Sequence, residues 1–300
     1  MARTEKLVVG RAAATRTALW NRKSVRQRVR IWGGTVILTL GALAMMVPLA
    51  WMLSTSVKDE GEVFIVPIRW IPSQILLSNY PEAVVFIPYW RFFINSVEVA
   101  FLTVAGSVLT ASMVAYAFAR LRTRLRDALF LVLLSTMMLP GEVTLVPTYL
   151  IFRQLGTLDT YYPLVVPSWL GGSPFYIFML RQFFMTLPLE MDEAAKIDGA
   201  GFLDIFLRII LPLAKPALAT VAIFAFFSHW NAFQTALIYL NTMENYTIPI
   251  GLRFYLSTMG NAHWNYLMAA TLIAIIPPIA IFFTCQRYFV QGAVLTGLKA

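Results

Sequence analysis

The chain has 300 residues, of which 59% are hydrophobic and 13% are charged, and its mean hydropathy is +0.69. Because an average soluble domain has about 25% charged residues, this composition excludes a soluble globular protein and indicates an integral membrane protein. A single cysteine, Cys285, excludes an intramolecular disulfide. With only two histidines in addition, we expect no histidine or cysteine metal site.

The first 30 residues carry nine of the chain's 24 lysines and arginines but only one acid, Glu5. Basic residues next to an apolar run are typical of membrane orientation, so we interpret the net charge of +9 in that way and expect no nucleic-acid partner. A mitochondrial transit peptide has a similar composition, whereas a cleaved secretory signal has a shorter basic lead. We expect residues 1–30 to form a basic, disordered tail in the cytoplasm.

Six apolar runs are long enough to cross a bilayer, because about 20 apolar residues span its hydrocarbon core as a helix. They are residues 31–55, 93–119, 128–151, 160–180, 214–239 and 266–289. Prolines interrupt the third and fourth runs at Pro140, Pro147, Pro163, Pro167 and Pro174. Since prolines in membrane helices need neighbouring groups to satisfy the freed carbonyls, they predict kinked helices packed in a bundle.

The loops differ in basic residues, which are enriched on the cytoplasmic side of membranes. Two connections carry four each, namely Arg120, Arg122, Arg124 and Arg126, and Arg181, Lys196, Arg208 and Lys215. The connections after the third and fifth runs have only Arg153 and Arg253. We therefore predict an all-α membrane protein with six transmembrane helices and both termini in the cytoplasm, including a C-terminal tail at residues 290–300.

A charged segment, "EAAKIDGAGFLDIFLRIILPLAKPA", separates the fourth and fifth runs at residues 193–217. It predicts an acidic helix that ends at Gly199, where a left-handed residue is a common helix cap. A second helix follows, with one apolar face made by Phe202, Ile205, Phe206, Ile209 and Ile210. Two interpretations of this amphipathic elbow are open: it docks against another protein, or it lies on the lipid surface.

The residues of this segment resemble a known motif, the EAA loop of ABC importer permeases. The pattern is Glu193-Ala194-Ala195, three residues, Gly199, nine residues, then Ile209-Ile210-Leu211-Pro212. The stretches "RWIPSQILLSNY" and "QRYFVQGAVLTGLKA" extend the resemblance over roughly residues 35 to 299. They are similar to the carbohydrate branch of these permeases, in particular to the smaller permease subunit of the maltose transporter.

The resemblance implies a coupling helix in the cytoplasmic loop 188–212, between helices 4 and 5, seated in an ATP-binding subunit. The residues implied in this contact are Glu193, Ala194, Ala195, Asp198, Gly199, Ile209, Leu211 and Pro212. It also implies a second permease subunit, a dimer of ATP-binding subunits and an extracellular solute-binding protein as partners, in the cytoplasmic membrane of a prokaryote.

The chain has no G-x-x-x-x-G-K-[ST] phosphate-binding loop and no evident catalytic constellation. We therefore expect no enzyme activity, no catalytic residue and no cofactor in this chain, with ATP and Mg²⁺ bound by the partner ATPase. A secondary transporter remains the alternative, but it should have an intramembrane ion site or an internal repeat, and the sequence indicates neither.

A polar and aromatic cluster in the fifth run is a possible substrate pathway, formed by Trp230, Asn231 and Gln234. An aromatic face with amides suits an uncharged sugar or polyol. The alternative is that these side chains serve helix packing, with the polar residues bonding between helices.

Overall fold

The computed structural model describes residues 2–121, 123–256 and 262–297. Within these ranges the chain is helical, apart from loops and one isolated β-bridge between Leu256 and Ala262. The α-helices are α1 (Ala2–Ser56), α2 (Asn79–Phe86), α3 (Tyr89–Arg120), α4 (Arg126–Thr136), α5 (Gly141–Gln154), α6 (Tyr162–Trp169), α7 (Pro174–Phe184), α8 (Glu190–Ile197), α9 (Phe202–Ile205), α10 (Leu211–Leu213), α11 (Lys215–Trp230), α12 (Phe233–Tyr239), α13 (Ile248–Leu252), α14 (Trp264–Ala274) and α15 (Ile276–Gly297).

Four helical segments are long and apolar enough to cross a membrane: Arg30–Ser56, Tyr89–Arg120, Tyr162–Phe184 and Trp264–Gln286. Two bent pairs also qualify if each is one broken span. Helices α4 and α5 meet at 97°, and the segment Phe202–Leu213 meets α11 at 79°. The all-helical membrane architecture predicted from composition is confirmed, with four to six membrane helices among the residues that the structure describes.

Three of the five predicted proline interruptions, at Pro140, Pro163 and Pro174, lie at the start of a helix. Pro140 directly precedes α5, and Pro174 is the first residue of α7. Proline has no N–H to donate and disfavours the helical conformation of the residue before it, so a helix readily begins at a proline and ends before one. Pro147 and Pro167, in contrast, lie inside α5 and α6. A further break, at residues 231–232 between α11 and α12, was not predicted.

Both terminal helices continue past the boundaries drawn from the sequence. Helix α1 runs without interruption from Ala2 to Ser56, so the backbone has no boundary at residue 30, where a disordered tail was expected. The alanines, leucines and arginines of residues 2–30 are good helix formers, and this part of α1 contains no proline, the one proline of the helix being Pro48. Helix α15 likewise continues to Gly297, beyond the predicted end of the last span at residue 289.

The buried side chains form two main clusters at opposite ends of α3. The first, which we call the elbow end, joins the last turns of α3 to α7, α11 and the segment 190–214. The second, the loop end, joins the first turns of α3 to α2, α13 and α14. Helix α3 is the common element because Tyr89 belongs to the loop end and Tyr116 to the elbow end.

Asp159 ties two connections together near the loop end. Its Oδ1 accepts hydrogen bonds from the backbone N–H groups of Asn241 (2.8 Å) and Thr242 (2.9 Å). Its own N–H donates to the Tyr239 carbonyl at the end of α12. Burial alone would raise the pKa of Asp159, but these N–H donors together hold it below the usual value. The α5–α6 connection is thereby fixed to the end of α12.

Candidate functional site

The elbow, for which we now include the preceding residues so that it covers residues 188–217, begins with α8, which starts at Glu190. Gly199 has φ = +84°, which confirms the predicted left-handed cap. The Ala200 N–H donates to the Ala195 carbonyl (2.9 Å) and the Gly199 N–H donates to the Lys196 carbonyl (3.0 Å). These two bonds form a Schellman motif, which satisfies the last carbonyls of α8 and turns the chain toward α9.

The second part of the elbow is α9, a π-helical turn at Phe206–Ile210, and α10. Ile205, Phe206 and Ile210 are buried, as the predicted apolar face requires. Phe202, which was predicted on the same face, is instead 55% exposed. Phe202 is the first residue of α9, ahead of the π-helical turn, and Lys196 Nζ lies 5.6 Å from the centroid of its ring.

The buried face of the elbow packs against the bundle. Ala195, Ile205, Phe206 and Ile210 belong to one apolar cluster with residues of α3, α7 and α11. The rings of Phe206 and Tyr116 lie 5.1 Å apart. The elbow is therefore part of the core at this end of the molecule rather than a free loop.

A buried ion pair joins the elbow to α3. Arg120 Nε lies 3.4 Å from Asp192 Oδ2, and the two side chains are only 4% and 6% exposed. Arg120 Nη2 also donates to the Leu187 carbonyl (3.0 Å), just before α8. Sequence reasoning missed this pair, since Arg120 was counted only among the basic residues that indicate membrane orientation. The available signal was the spacing of Asp192 and Ala195, which places both on one face of α8.

The predicted contact residues of the elbow divide between exposed and buried positions. Glu193, Ala194, Asp198, Gly199 and Pro212 are exposed, Ile209 and Leu211 are half-buried, and Ala195 is buried. Large apolar side chains of the elbow are also exposed, namely Ile197 (87%), Leu203 (68%) and Leu207 (56%). The elbow thus combines a fixed inner face with an outer face that has both carboxylate and apolar groups.

The three residues of the predicted substrate pathway lie at the break between α11 and α12. Trp230 is 4% exposed, and its ring packs on Phe226 and Phe93 at 5.3 and 5.8 Å. Asn231 donates from Nδ2 to the Phe227 carbonyl, and Gln234 is exposed. The contacts of Trp230 fit the packing alternative; a role for Asn231 and Gln234 in the pathway stays a prediction.

A cavity of about 320 Å³ lies beside this break, between α5, α6 and α12. Three residues of this part of the chain, His229, Ala232 and Thr235, line the cavity. The residues predicted for the substrate pathway, Trp230, Asn231 and Gln234, do not line it. Its polar side chains are those of Thr144, Thr148, His229, Thr235, Tyr239 and Thr247. Among the described residues, no group of three or more His, Cys, Asp or Glu side chains is placed to hold a metal ion.

Comparison with known proteins gives a consistent result. Residues 107–294 match the family described as binding-protein-dependent transport system inner membrane component. The sn-glycerol-3-phosphate transport system permease protein UgpE of Escherichia coli O1:K1 / APEC is 35% identical over 265 residues, which cover 86% of this chain and 94% of that protein. The UgpE protein of Rhizobium meliloti (strain 1021) is 35% identical over 271 residues, 88% of this chain and 95% of the relative.

A solved structure has the same fold over nearly the full length. It is a chain of a bacterial ABC transporter involved in the import of the acidic polysaccharide alginate. The TM-score is 0.77 at 26% sequence identity, and the match covers 87% of this chain and 97% of that one.

Proposed function

Since this chain belongs to the family of binding-protein-dependent transport system inner membrane components, we propose that it is the membrane-spanning permease subunit of an ATP-driven ABC importer. In this proposal both termini and the elbow face the cytoplasm. The chain crosses the membrane six times if each of the two bent helix pairs is counted as one span. Four helical segments and two bent helix pairs among the described residues have the length and hydropathy that such spans require.

The solute in this proposal is a carbohydrate or polyol, delivered by an extracellular solute-binding protein. The relatives with 35% identity are named for sn-glycerol 3-phosphate, and the transporter of known structure imports alginate. Both named solutes bear at least two hydroxyl groups, so a hydroxyl-bearing solute is the feature that the two have in common.

ATP hydrolysis takes place in partner subunits in this proposal, because the chain has no phosphate-binding loop of its own. The assembly has a second permease subunit beside this chain and a dimer of ATP-binding subunits below it, where ATP and Mg²⁺ bind. This chain contributes the path and the mechanical contact, and no catalytic residue.

The elbow is the proposed contact with the ATP-binding subunit, and its exposed outer face is the observation that carries this assignment. Ile197 and Leu203 are 87% and 68% exposed, although the inner face of the same segment is buried in the bundle. Exposed apolar groups next to a carboxylate, Glu193, suit a protein surface better than anionic lipid, which repels an acidic helix. A rigid element of this kind transmits a rigid-body movement without changing shape.

The experiment that tests the proposal is purification of the chain with its partner subunits, followed by a screen of solutes for stimulated ATP hydrolysis. We expect an ATP-binding subunit to copurify, and solute with its binding protein to stimulate hydrolysis. If the chain instead purifies alone, and an ion gradient drives its transport of a solute, the protein is a secondary transporter.

A further inference from the structure

The connection between α1 and α2, residues 57–78, folds back onto the last turns of α1. Ser54 Oγ donates to the Trp70 carbonyl, and the rings of Trp70 and Trp51 meet edge to face with their centroids 5.4 Å apart. Trp51 and Ser54 belong to the segment Arg30–Ser56, which is long and apolar enough to cross a membrane. Trp70 therefore lies beside this helix and not beyond its end.

Lys58 holds the connection in this position. The residue is fully buried, and its Nζ donates to the Arg69 carbonyl (2.6 Å) and lies 4.2 Å from the centroid of the Trp51 ring. The backbone carbonyl of Lys58 accepts from Asn79 Nδ2 (2.8 Å) at the start of α2. Because a buried ammonium is costly without such partners, these contacts fix residues 69 and 70 against α1.

The position along α1 gives the depth of the connection in a membrane. The segment Arg30–Ser56 has 27 residues. A helix of that length is about 40 Å long, which matches a bilayer together with its headgroups. Trp51 lies roughly 7 Å before the end of α1 by the rise per residue. The contacts of Trp70 with α1 therefore place it in the headgroup layer.

Apolar side chains of the connection are exposed at this depth. They are Phe64 (68%), Val66 (90%), Ile68 (63%), Trp70 (51%) and Ile71 (83%). The one charged residue among residues 64–71 is Arg69, whose Nη1 lies 3.6 Å from a carboxylate oxygen of Glu62. A contiguous exposed apolar surface indicates an interaction site, and tryptophan is enriched where proteins meet the membrane interface.

The backbone of the same residues limits how deep they can lie. Within the part of the chain that the structure describes, no N–H group of residues 64–71 donates to another residue. An unpaired N–H group is costly in hydrocarbon, where nothing can accept its hydrogen bond. Water and phosphate oxygens are available as acceptors in the headgroup layer, so the backbone and the side chains fit the same depth.

We infer that residues 64–71 are a lipid-binding segment, which lies in the headgroup layer at the loop end and is positioned there by Lys58. Its surface continues the outward face of α1, where Leu53 is 49% exposed. The inference requires only that the chain crosses a membrane, so it goes beyond the proposed function and does not depend on the solute or on the ATPase.

The first test attaches a fluorophore to the lipid-binding segment. In a Cys285→Ser background, Val66→Cys and Ile71→Cys are labelled with bimane, and the chain is reconstituted into phosphatidylcholine vesicles together with the subunits that copurify. Quenching is measured with phosphatidylcholine brominated on its acyl chains, and with iodide on both sides of the membrane. The control is Glu244→Cys, because Glu244 is an exposed charged residue near the loop end.

We expect brominated lipid to quench bimane at both positions by about half or more, since interfacial side chains contact the acyl chains. Iodide should quench the label at Glu244 at least about twofold more than either, because a charged residue favours water. Quenching of both segment labels by iodide alone would place the segment in water, and quenching by neither agent would show that another protein covers it. Either result overturns the inference and leaves the proposed function untouched.

The second test removes the ammonium of Lys58. Lys58→Met keeps an unbranched side chain, but the Arg69 carbonyl and the Trp51 ring lose their partner. We expect iodide quenching at Ile71 to rise at least about twofold. The control is Arg69→Gln, which keeps the carbonyl that Lys58 binds and should change the quenching less than twofold. Unchanged quenching in Lys58→Met would overturn the positioning role of Lys58. If Lys58→Met does not fold, the labels in the chain that retains Lys58 decide whether the segment binds lipid.

Discussion

Gly199 has a backbone conformation that a residue with a side chain adopts at a cost. Its φ is +84°, and the Schellman bonds around it depend on that geometry. A left-handed conformation costs about 1–2 kcal/mol for a residue with a side chain, and more for a β-branched one. The space around Gly199 is open, so the penalty comes from the backbone and not from a clash.

We therefore expect Gly199→Val to reorient α8 relative to α9 and to weaken binding of the ATP-binding subunit. The control is Gly201→Ala, because Gly201 has φ = −78° and an added Cβ there makes only ordinary contacts. Copurification of the ATPase and solute-stimulated hydrolysis are the measurements. Equal retention of the ATPase by both variants would contradict the role assigned to this turn.

Glu193 tests the outer face by charge rather than by conformation. It is exposed in the first turn of α8, so Glu193→Lys leaves the packing of the helix intact while reversing the charge at the proposed contact. We expect normal membrane insertion with loss of copurifying ATPase, measured by subunit ratio after purification. The control is Asp204→Asn, because Asp204 pairs with Arg208 in an exposed ion pair that contributes little to stability. If Asp204→Asn loses as much copurifying ATPase as Glu193→Lys, then any change of charge in the elbow disrupts assembly.

At the scale of elements, the Arg120–Asp192 pair decides how firmly the elbow is attached. Breaking a buried pair by removing one partner leaves an uncompensated charge and costs about 3–5 kcal/mol. The Asp192 Oδ1 has no hydrogen-bond partner among the described residues, which places the pair at the lower end of that range. At about 2 °C per kcal/mol, Arg120→Gln should lower the Tm of the purified chain by roughly 6 °C.

The double variant Arg120→Met with Asp192→Leu provides the matched control for this prediction. It removes both charges together, and well-packed apolar replacements of buried pairs are often neutral or stabilising. We expect its Tm to lie closer to that of the wild type than to that of Arg120→Gln. Arg208 belongs to the exposed ion pair. If Arg208→Gln lowers the Tm as much as Arg120→Gln does, the burial of the Arg120–Asp192 pair is not the cause of the loss of stability.

Elements whose signals are local were predictable from the sequence. The cap at Gly199 and the breaks at Pro140 and Pro174 are confirmed because each depends on the conformational limits of one residue type. Partners in space were not predictable in the same way. The Arg120–Asp192 pair depends on how distant helices pack, which periodicity within one helix does not encode.

The predicted substrate pathway shows the same limit of prediction from sequence. The residues predicted for the pathway, Trp230, Asn231 and Gln234, are close in the chain to His229, Ala232 and Thr235, which line the cavity. Composition cannot distinguish the side of a helix that meets a cavity from the side that packs, so a role for Asn231 and Gln234 in the pathway stays a prediction. Trp230 is large and aromatic, and it fills the core instead.

For the whole molecule, the prediction concerns which end of the bundle faces outward. In a Cys285→Ser background, single cysteines replace the exposed residues Ser73 and Glu244 near the loop end, and Thr123 and Ile197 near the elbow end. A membrane-impermeant maleimide is added to right-side-out vesicles. We expect labelling at the first two positions, and at the last two only after permeabilisation.

The basic residues support this orientation, since arginines and lysines are concentrated in the connections at the elbow end. Labelling of Ile197→Cys from the outside would remove the cytoplasmic assignment of the elbow, and the proposed contact with an ATP-binding subunit would be wrong as well.

The buried pair between Arg120 and Asp192 bears on which forces the elbow can transmit to α3. An elbow that merely rested on the bundle could be pushed toward it, but it would separate when its partner moved away. The ion pair and the bond from Arg120 to the Leu187 carbonyl resist that separation, and Arg120 is the last residue of a helix of 32 residues. In the proposed importer, an ATPase that recedes would therefore pull α3 as effectively as an approaching one pushes it, so both strokes of the cycle would act on the loop end of the molecule.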